Sequence, residues 1–234
     1  MWMIPTRGRP EDMAALINAA TSTGSPRAAV MIDQDDPAPY NSIGWPPGWH
    51  VHYALDHLEL AGALNRLFEF YPDEPFYGVL ADHARPRTPG WDKTVAEAAG
   101  DWNIAYTDDG WLHGRRQDDP SRPRICGAIA LGGKLVRAAG WLIYPKLVHL
   151  YVDDVWEAIG EDLGLLKYLP HVLSAVDRPE TTGRPRDENH ARVWRGRRFH
   201  AMDASAFAMW NTHHRAETVA LIRKAMEDDN DHRR

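Results

Sequence analysis

The chain has a single cysteine, Cys126, in 234 residues. One cysteine excludes an internal disulfide and any zinc site built on thiolates, and it fits a reducing compartment. Long apolar runs are also missing, since none approaches the ~18 residues of a membrane span. The opening Met1-Trp2-Met3-Ile4-Pro5 is far shorter than a signal-peptide core, so the expected location is the cytoplasm. Basic charge is not in excess. With 27 Lys and Arg against 33 Asp and Glu the net charge is −6, which argues against a uniformly basic nucleic-acid binder. Internal repeats and low-complexity tracts are absent, and no firm domain boundary stands out.

What remains is an ordinary soluble composition, 44% apolar and 26% charged. The length suits one substantial α/β domain. Ten Trp is a high number, and Trp45, Trp49, Trp91, Trp111 and Trp141 sit beside Gly or Pro, where aromatic faces often line clefts. Positive charge is concentrated locally at Arg184, Arg186, Arg192, Arg195, Arg197 and Arg198, either a solvated face or a phosphate contact.

Several short apolar runs end abruptly on acids. Met1 to Ile4 reads as a strand, followed by the loop Pro5-Thr6-Arg7-Gly8-Arg9-Pro10. A helical pattern (Met13, Leu16, Ile17, Ala20) then opens on Pro10-Glu11-Asp12. Arg27 to Ile32 is a second buried strand ending on Asp33-Gln34-Asp35-Asp36-Pro37, and Phe76 to Ala81 a third ending on Asp82-His83. A parallel βαβ arrangement places these acids on one edge of the sheet, where open α/β sheets bind ligands.

Residues 38–56 read as a loop, and Leu55 to Phe70, Asp92 to Ala99 and Lys134 to Ala139 as helices. Trp102 to Tyr106 and Tyr168 to Val176 read as strands. His149 to Trp156 leads into a helix that Gly164 terminates, and 204–227 forms a C-terminal helix before a mixed-charge tail. The pattern predicts an α/β fold, a mostly parallel sheet flanked by helices plus a C-terminal helix.

Four segments carry a resemblance. Ile4-Pro5-Thr6-Arg7-Gly8-Arg9-Pro10, Met31-Ile32-Asp33-Gln34-Asp35-Asp36-Pro37, the run Asp82 to Asp92 and His149-Leu150-Tyr151-Val152-Asp153-Asp154-Val155-Trp156 together resemble GT-A-type glycosyltransferases, specifically a small phage- and prophage-encoded branch. The likeness spans about residues 1–190, and Arg87-Thr88-Pro89-Gly90-Trp91-Asp92 is its most specific part. The resemblance implies a GT-A-like nucleotide-sugar-binding catalytic domain over residues 1–200, with 201–234 as helix and tail. It implies an inverting glycosyltransferase that uses a nucleotide sugar, for instance a UDP-sugar, with Mn²⁺ or Mg²⁺.

Carried over residue by residue, Asp82, His83 and Asp177 are the implied metal ligands. Pro5, Thr6, Arg7, Asp33, Asp35, Arg85, Arg87 and Trp91 are the donor-binding residues. Asp153 is the implied general base, and Asp154 its close alternative. A strand-end carboxylate holding a divalent cation offsets the charge that builds on the leaving diphosphate. Arginines offer bidentate hydrogen bonds to phosphate, and a separate carboxylate deprotonates the acceptor hydroxyl.

The chain departs from the family pattern in reading Asp82-His83 where the metal motif has two acids. It also lacks the late His ligand, in whose region Asp177 stands. For a phage-type member the expected acceptor is a hydroxymethylated pyrimidine in double-stranded DNA, with the Arg-rich 184–198 stretch on the phosphates. A glycan, protein or small-molecule acceptor is the alternative, as is a non-catalytic nucleotide-sugar-binding protein.

Some of these residues have a plainer reading. Trp91 serves equally as a stacking platform or as a helix-start packing residue. Arg85 and Arg87 serve equally as phosphate ligands or as braces to Asp92 or Asp109. His50, His52 and His57 read as structural, His213 and His214 as solvent-facing, and Asp108-Asp109 as a turn.

Overall fold

A computed structural model of the chain describes residues 1–36, 39–177 and 198–232, together with Gly183 and Ala191. The Arg-rich 184–198 stretch lies almost wholly outside the described residues. The elements follow the order β1 (Trp2–Thr6), α1 (Pro10–Thr23), β2 (Ala28–Asp33), a 3-10 turn (Tyr40–Ser42), β3 (Trp49–Ala54), α2 (Leu60–Phe70), β4 (Phe76–Val79), β5 (Ala84–Pro86) and α3 (Trp91–Ala99). The second half adds β6 (Ile104–Asp108), β7 (Ile129–Gly132), α4 (Gly133–Ala139), α5 (Val152–Leu163), β8 (Leu166–Val176), α6 (Arg198–Met209), a π-helical turn (Trp210–His214) and α7 (Arg215–His232).

These strands form one eight-stranded sheet in the order β3-β2-β1-β4-β7-β6-β8-β5. β1, β2, β3, β4, β6 and β8 share one direction, and β5 and β7 oppose it. The expected mostly parallel sheet is the one present. Alternation along β1 shows how it is buried on both sides. Met1 and Met3 face one core with α2, α4, α5 and α7, through Leu64, Leu135, Ile159 and Ile222. Trp2 and Ile4 face the other, with Met13 and Leu16 of α1 and Val95 of α3.

Trp2 is packed on every side. Its ring lies 4.5 Å from that of Trp91 and 5.7 Å from that of Phe76. Gly78 on the neighbouring strand leaves it room, since a Cβ there would meet the indole at 2.2 Å.

Three local expectations need correction. The 38–56 stretch contains β3, which pairs in parallel with β2 from Ala28–Trp49 to Asp33–Ala54. The helix expected from Leu55 starts at Leu60. The C-terminal helix begins at Arg198, is interrupted by the π-helical turn and runs on to His232. Its Trp210, 0% exposed, lies in the core shared with α5.

Candidate functional site

The carboxyl ends of β1, β2, β4, β6 and β8 lie on one edge of the sheet, and the strand-end acids gather along it. The loop after β1 reaches into the first cluster. Arg7 donates to Asp33 Oδ2 at 2.9 Å and takes Asp35 in a two-pronged contact, at 2.6 and 3.2 Å. The Arg7 hydrogen bond lowers the Asp35 carboxyl and raises the guanidinium in turn. Asp33, 5% exposed, also accepts the backbone N–H of Leu58 at 3.0 Å. Gly8 turns the loop at φ +66° and donates its N–H to Asp36 at 2.7 Å. Tyr40, pushed up to about 12 by burial, meets Thr6 Oγ1 and the Arg9 N–H, each at 3.1 Å.

The second cluster is at the end of β4. Asp82 Oδ2 accepts from Thr6 Oγ1 at 3.0 Å, while Oδ1 faces Arg9 Nη1 at 3.1 Å and His83 Nδ1 at 2.9 Å. Burial raises the Asp82 carboxyl, but the His83 hydrogen bond and the Arg9 charge outweigh it, and the net shift is downward.

These contacts bear on a divalent cation. The implied ligand set Asp82, His83 and Asp177 is held by protein partners in this structure. Both Asp82 oxygens are engaged, and Asp177 is paired 3.0 Å from Arg85 Nε. A second group lies close together, its carboxylates likewise engaged, Asp33 by Arg7 and Leu58 and Asp35 by Arg7. Asp33, Asp35 and His57 each offer a ligand atom within 4.8 Å of the others. Carboxylate oxygen with imidazole nitrogen is a donor set that suits Mn²⁺. Arg7 now carries the positive charge at that point.

The remaining donor-side residues separate clearly. Pro5 lies within β1, opposite Met31. Arg85, on β5, points inward. Its guanidinium spans Asp12 Oδ1 at 2.9 Å, Asp177 Oδ2 at 3.0 Å and the carbonyls of Ala84 and Asp82 at 2.8 and 3.2 Å. It braces the loop as one reading of the sequence held, but through Asp12 and Asp177 rather than Asp92 or Asp109. Arg87 is exposed and donates its backbone N–H to Leu173. Trp91 is 0% exposed, so of its two readings packing is the one found, with no ring face open to a ligand.

Asp153 and Asp154 occupy the first turn of α5. Arg124 holds both, Asp153 at 2.5 Å and Asp154 at 2.8 Å. Arg116 bridges Asp154 at 2.9 Å and the buried Glu157 at 2.5 Å. Burial raises the Asp153 carboxyl to about 6; Arg124 pulls it down, and Asp154 and Glu157 push it back up. At the end of β6, Asp108 faces His113 Nδ1 at 3.0 Å and accepts from Tyr168 Oη at 3.1 Å. Asp109 makes the expected turn by accepting the N–H groups of Trp111, Leu112 and His113. His113 itself takes φ +52°, a left-handed conformation that His adopts more readily than most side chains.

Two residues hold contacts not expected from the sequence. His57 was read as structural, yet it stands 3.7 Å from Asp33 and 3.6 Å from Asp35. Asp203 on α6 carried no motif, and its partners lie 53 to 55 residues away in the chain. An acid inside an otherwise apolar helical stretch was the one available signal. His52 is held by Tyr71 Oη at 2.9 Å, and His213 and His214 are exposed, as expected.

No helix among the described residues is long and apolar enough to cross a membrane. No protein-family model and no curated protein matches the chain. Solved structures do. Mannosyltransferase PcManGT from Pyrobaculum calidifontis, in complex with GDP-Man and Mn²⁺, matches with a TM-score of 0.53 and 10% identity over 97% of this chain and 73% of that one. TarS from S. aureus matches with a TM-score of 0.53 and 12% identity over 76% of this chain and 37% of that one. A nucleotidyl transferase from Methanothermobacter thermautotroptrophicus matches with a TM-score of 0.46 and 15% identity, over 76% and 87%. Identities this low speak for the fold alone, and on that ground the chain has the α/β fold of the GT-A-type glycosyltransferases.

Proposed function

We propose that the protein is a glycosyltransferase that moves a sugar from a nucleotide donor to an acceptor hydroxyl with inversion. The observation that carries this reading is the gathering at the strand ends of Asp33 and Asp35 with Arg7 and of Asp82 with Arg9, with Asp153 and Asp154 opening α5. Asp33 and Asp35 accept hydrogen bonds from the ribose or base of the donor. Arg9, anchored on Asp82, is the cation that would meet the diphosphate through charge-assisted hydrogen bonds.

Asp153, its carboxyl lifted toward neutrality, takes the proton of the acceptor hydroxyl as that oxygen attacks the anomeric carbon. The sugar–phosphate bond breaks on the opposite side, and its electron pair leaves with the nucleoside diphosphate. Asp154 is the alternative base, held back by two arginines where Asp153 faces one. Asp33, Asp35 and His57 are the residues that would hold a divalent cation, in competition with Arg7. When bound, such an ion offsets charge on the diphosphate.

Thermal shift with UDP-, GDP- and dTDP-hexoses, with and without Mn²⁺, tests the donor. A ligand present at 100 times its Kd adds about 2.7 kcal/mol. That raises Tm by about 5–11 °C in a domain of this size. Arg7→Ala and Asp33→Asn remove the shift, whereas a panel that never moves Tm overturns the reading. For the acceptor, the proposal is a hydroxymethylated pyrimidine in duplex DNA, supported by the Arg-rich 184–198 stretch of the sequence. Transfer to a hydroxymethylcytosine duplex but not to unmodified DNA supports it, and no transfer to either rejects it.

A further inference from the structure

Asp203 of α6 is fully buried, and its carboxylate is spent on three consecutive backbone N–H groups. Oδ1 accepts from Val148 at 2.8 Å, and Oδ2 from His149 at 2.8 Å and Leu150 at 2.6 Å. Those residues lead straight into α5, whose first turn carries Asp153 and Asp154. Next in the chain is Tyr151, which caps α5 at φ +61° with no side-chain hydrogen bond to the helix. The left-handed conformation is unfavourable for Tyr, so its surroundings must hold it there. They belong to α6 as well, with Phe207 stacked on the Tyr151 ring at 5.4 Å and 18° and His200 Nε2 at 3.4 Å from its hydroxyl.

The same loop also reaches the donor side. Val148 accepts the N–H of Ala61 at 3.0 Å, at the start of α2, and Leu58 just before that helix donates to Asp33 at 3.0 Å. The loop 148–150 therefore ties Asp203 of α6 to the start of α2.

We propose that Asp203 is a positioning residue for sugar transfer, fixing the loop 148–151 so that the carboxylates opening α5 stand at a set distance from the Asp33 corner. This rests on the glycosyltransferase reading above. Its action is through Asp153, since all its own oxygens are occupied by backbone. Asp203→Asn keeps the volume but turns an NH2 group toward N–H donors, so at least one of the three loses its acceptor.

The test uses the full chain and the donor that the nucleotide-sugar panel selects, with water as acceptor. The expected result for Asp203→Asn is a kcat lowered about 10- to 100-fold, as a displacement on the ångström scale produces. Donor KM and affinity for UDP or GDP stay within twofold. Hydrogen exchange shows protection lost at Val148, His149 and Leu150 while the β1, β2 and β4 amides keep theirs. Tyr151→Asn, which tolerates the left-handed conformation but drops the ring, gives a smaller loss of kcat with the same unchanged KM, and decides the matter if Asp203→Asn does not fold.

Unchanged kcat with the loop amides deprotected overturns the proposal. So does a parallel loss of kcat, nucleotide affinity and sheet protection, which marks Asp203 as structural support only. A wild type that turns over no donor overturns the glycosyltransferase reading and this proposal with it, whereas an active wild type matched by both variants overturns this proposal alone.

Discussion

Replacing Arg85 by methionine separates two roles that its place in the sequence allows. As a phosphate ligand it should matter to the donor; as a brace it should matter to folding. The structure gives its guanidinium two carboxylates, Asp12 at 2.9 Å and Asp177 at 3.0 Å, and backbone carbonyls of Ala84 and Asp82. Side-chain exposures are 9% for Arg85, 9% for Asp12 and 28% for Asp177.

Methionine keeps most of the stem's volume, so the cost arises from stranding the charges rather than from a cavity. Removing one partner of a buried ion pair costs about 3–5 kcal/mol, and the partial exposure of Asp177 places this case near 3. At about 2–4 °C per kcal/mol for a domain of this size, Tm falls by about 6–12 °C. Urea unfolding should show the midpoint lowered with an unchanged slope. Measured on the folded protein at low temperature, affinity for UDP or GDP stays within twofold. A stability loss below about 0.5 kcal/mol, with nucleotide affinity down tenfold, refutes the brace and restores the ligand.

Three other outcomes follow from named contacts. With its carboxyl raised to about 6, Asp153 is an active base only when ionised, so turnover climbs with pH through about 6. Asp153→Asn abolishes that limb along with most of the activity, and a pH-independent wild type contradicts the assignment. Because that raised carboxyl binds its proton more tightly in the folded protein, its titration also makes stability fall as pH rises from the ordinary carboxylate range through about 6. Gly78→Ala drives a methyl group into the buried Trp2 indole and costs about 1–3 kcal/mol by overpacking, read by urea denaturation; a neutral result contradicts the packing. The hydrogen bond to Asp108 raises His113, so an NMR titration places its midpoint above 6.5, and Asp108→Asn brings it down. The Asp108–His113 attraction supports the fold while His113 is charged and fades as pH rises past that midpoint. An unmoved midpoint in the variant refutes the pairing.

What was legible in the sequence was what depends on local pattern. Apolar runs that stop on Asp33 and Asp82 announced buried strands and the edge where their acids meet. The direction of a side chain on a very short element was not legible. β5 is three residues long, too short for alternation to show that Arg85 turns inward. Trp91 opens α3 after a left-handed Gly90, and only the packing on Trp2 decides which way its ring goes. β3 was hidden because Trp49-His50-Val51-His52-Tyr53-Ala54 follows a Pro-Pro-Gly turn and runs along a sheet edge with its middle partly exposed. His57 meets Asp33 and Asp35 through the β2–β3 pairing, while its other partner, Glu59, is local. Asp203 meets its partners from more than 50 residues away, beyond the reach of any local signal.

The most direct test of sugar transfer is ³¹P NMR of the full chain in two mixtures. One holds the nucleotide sugar that the thermal-shift panel selects, and the other the matching nucleoside triphosphate with a hexose 1-phosphate. Glycosyl transfer or its hydrolytic side reaction releases nucleoside diphosphate in the first mixture and leaves the second unchanged, and Asp153→Asn suppresses the release. Pyrophosphate and new nucleotide sugar appearing in the second mixture, with the first inert, would make the protein a nucleotidyltransferase and contradict the account.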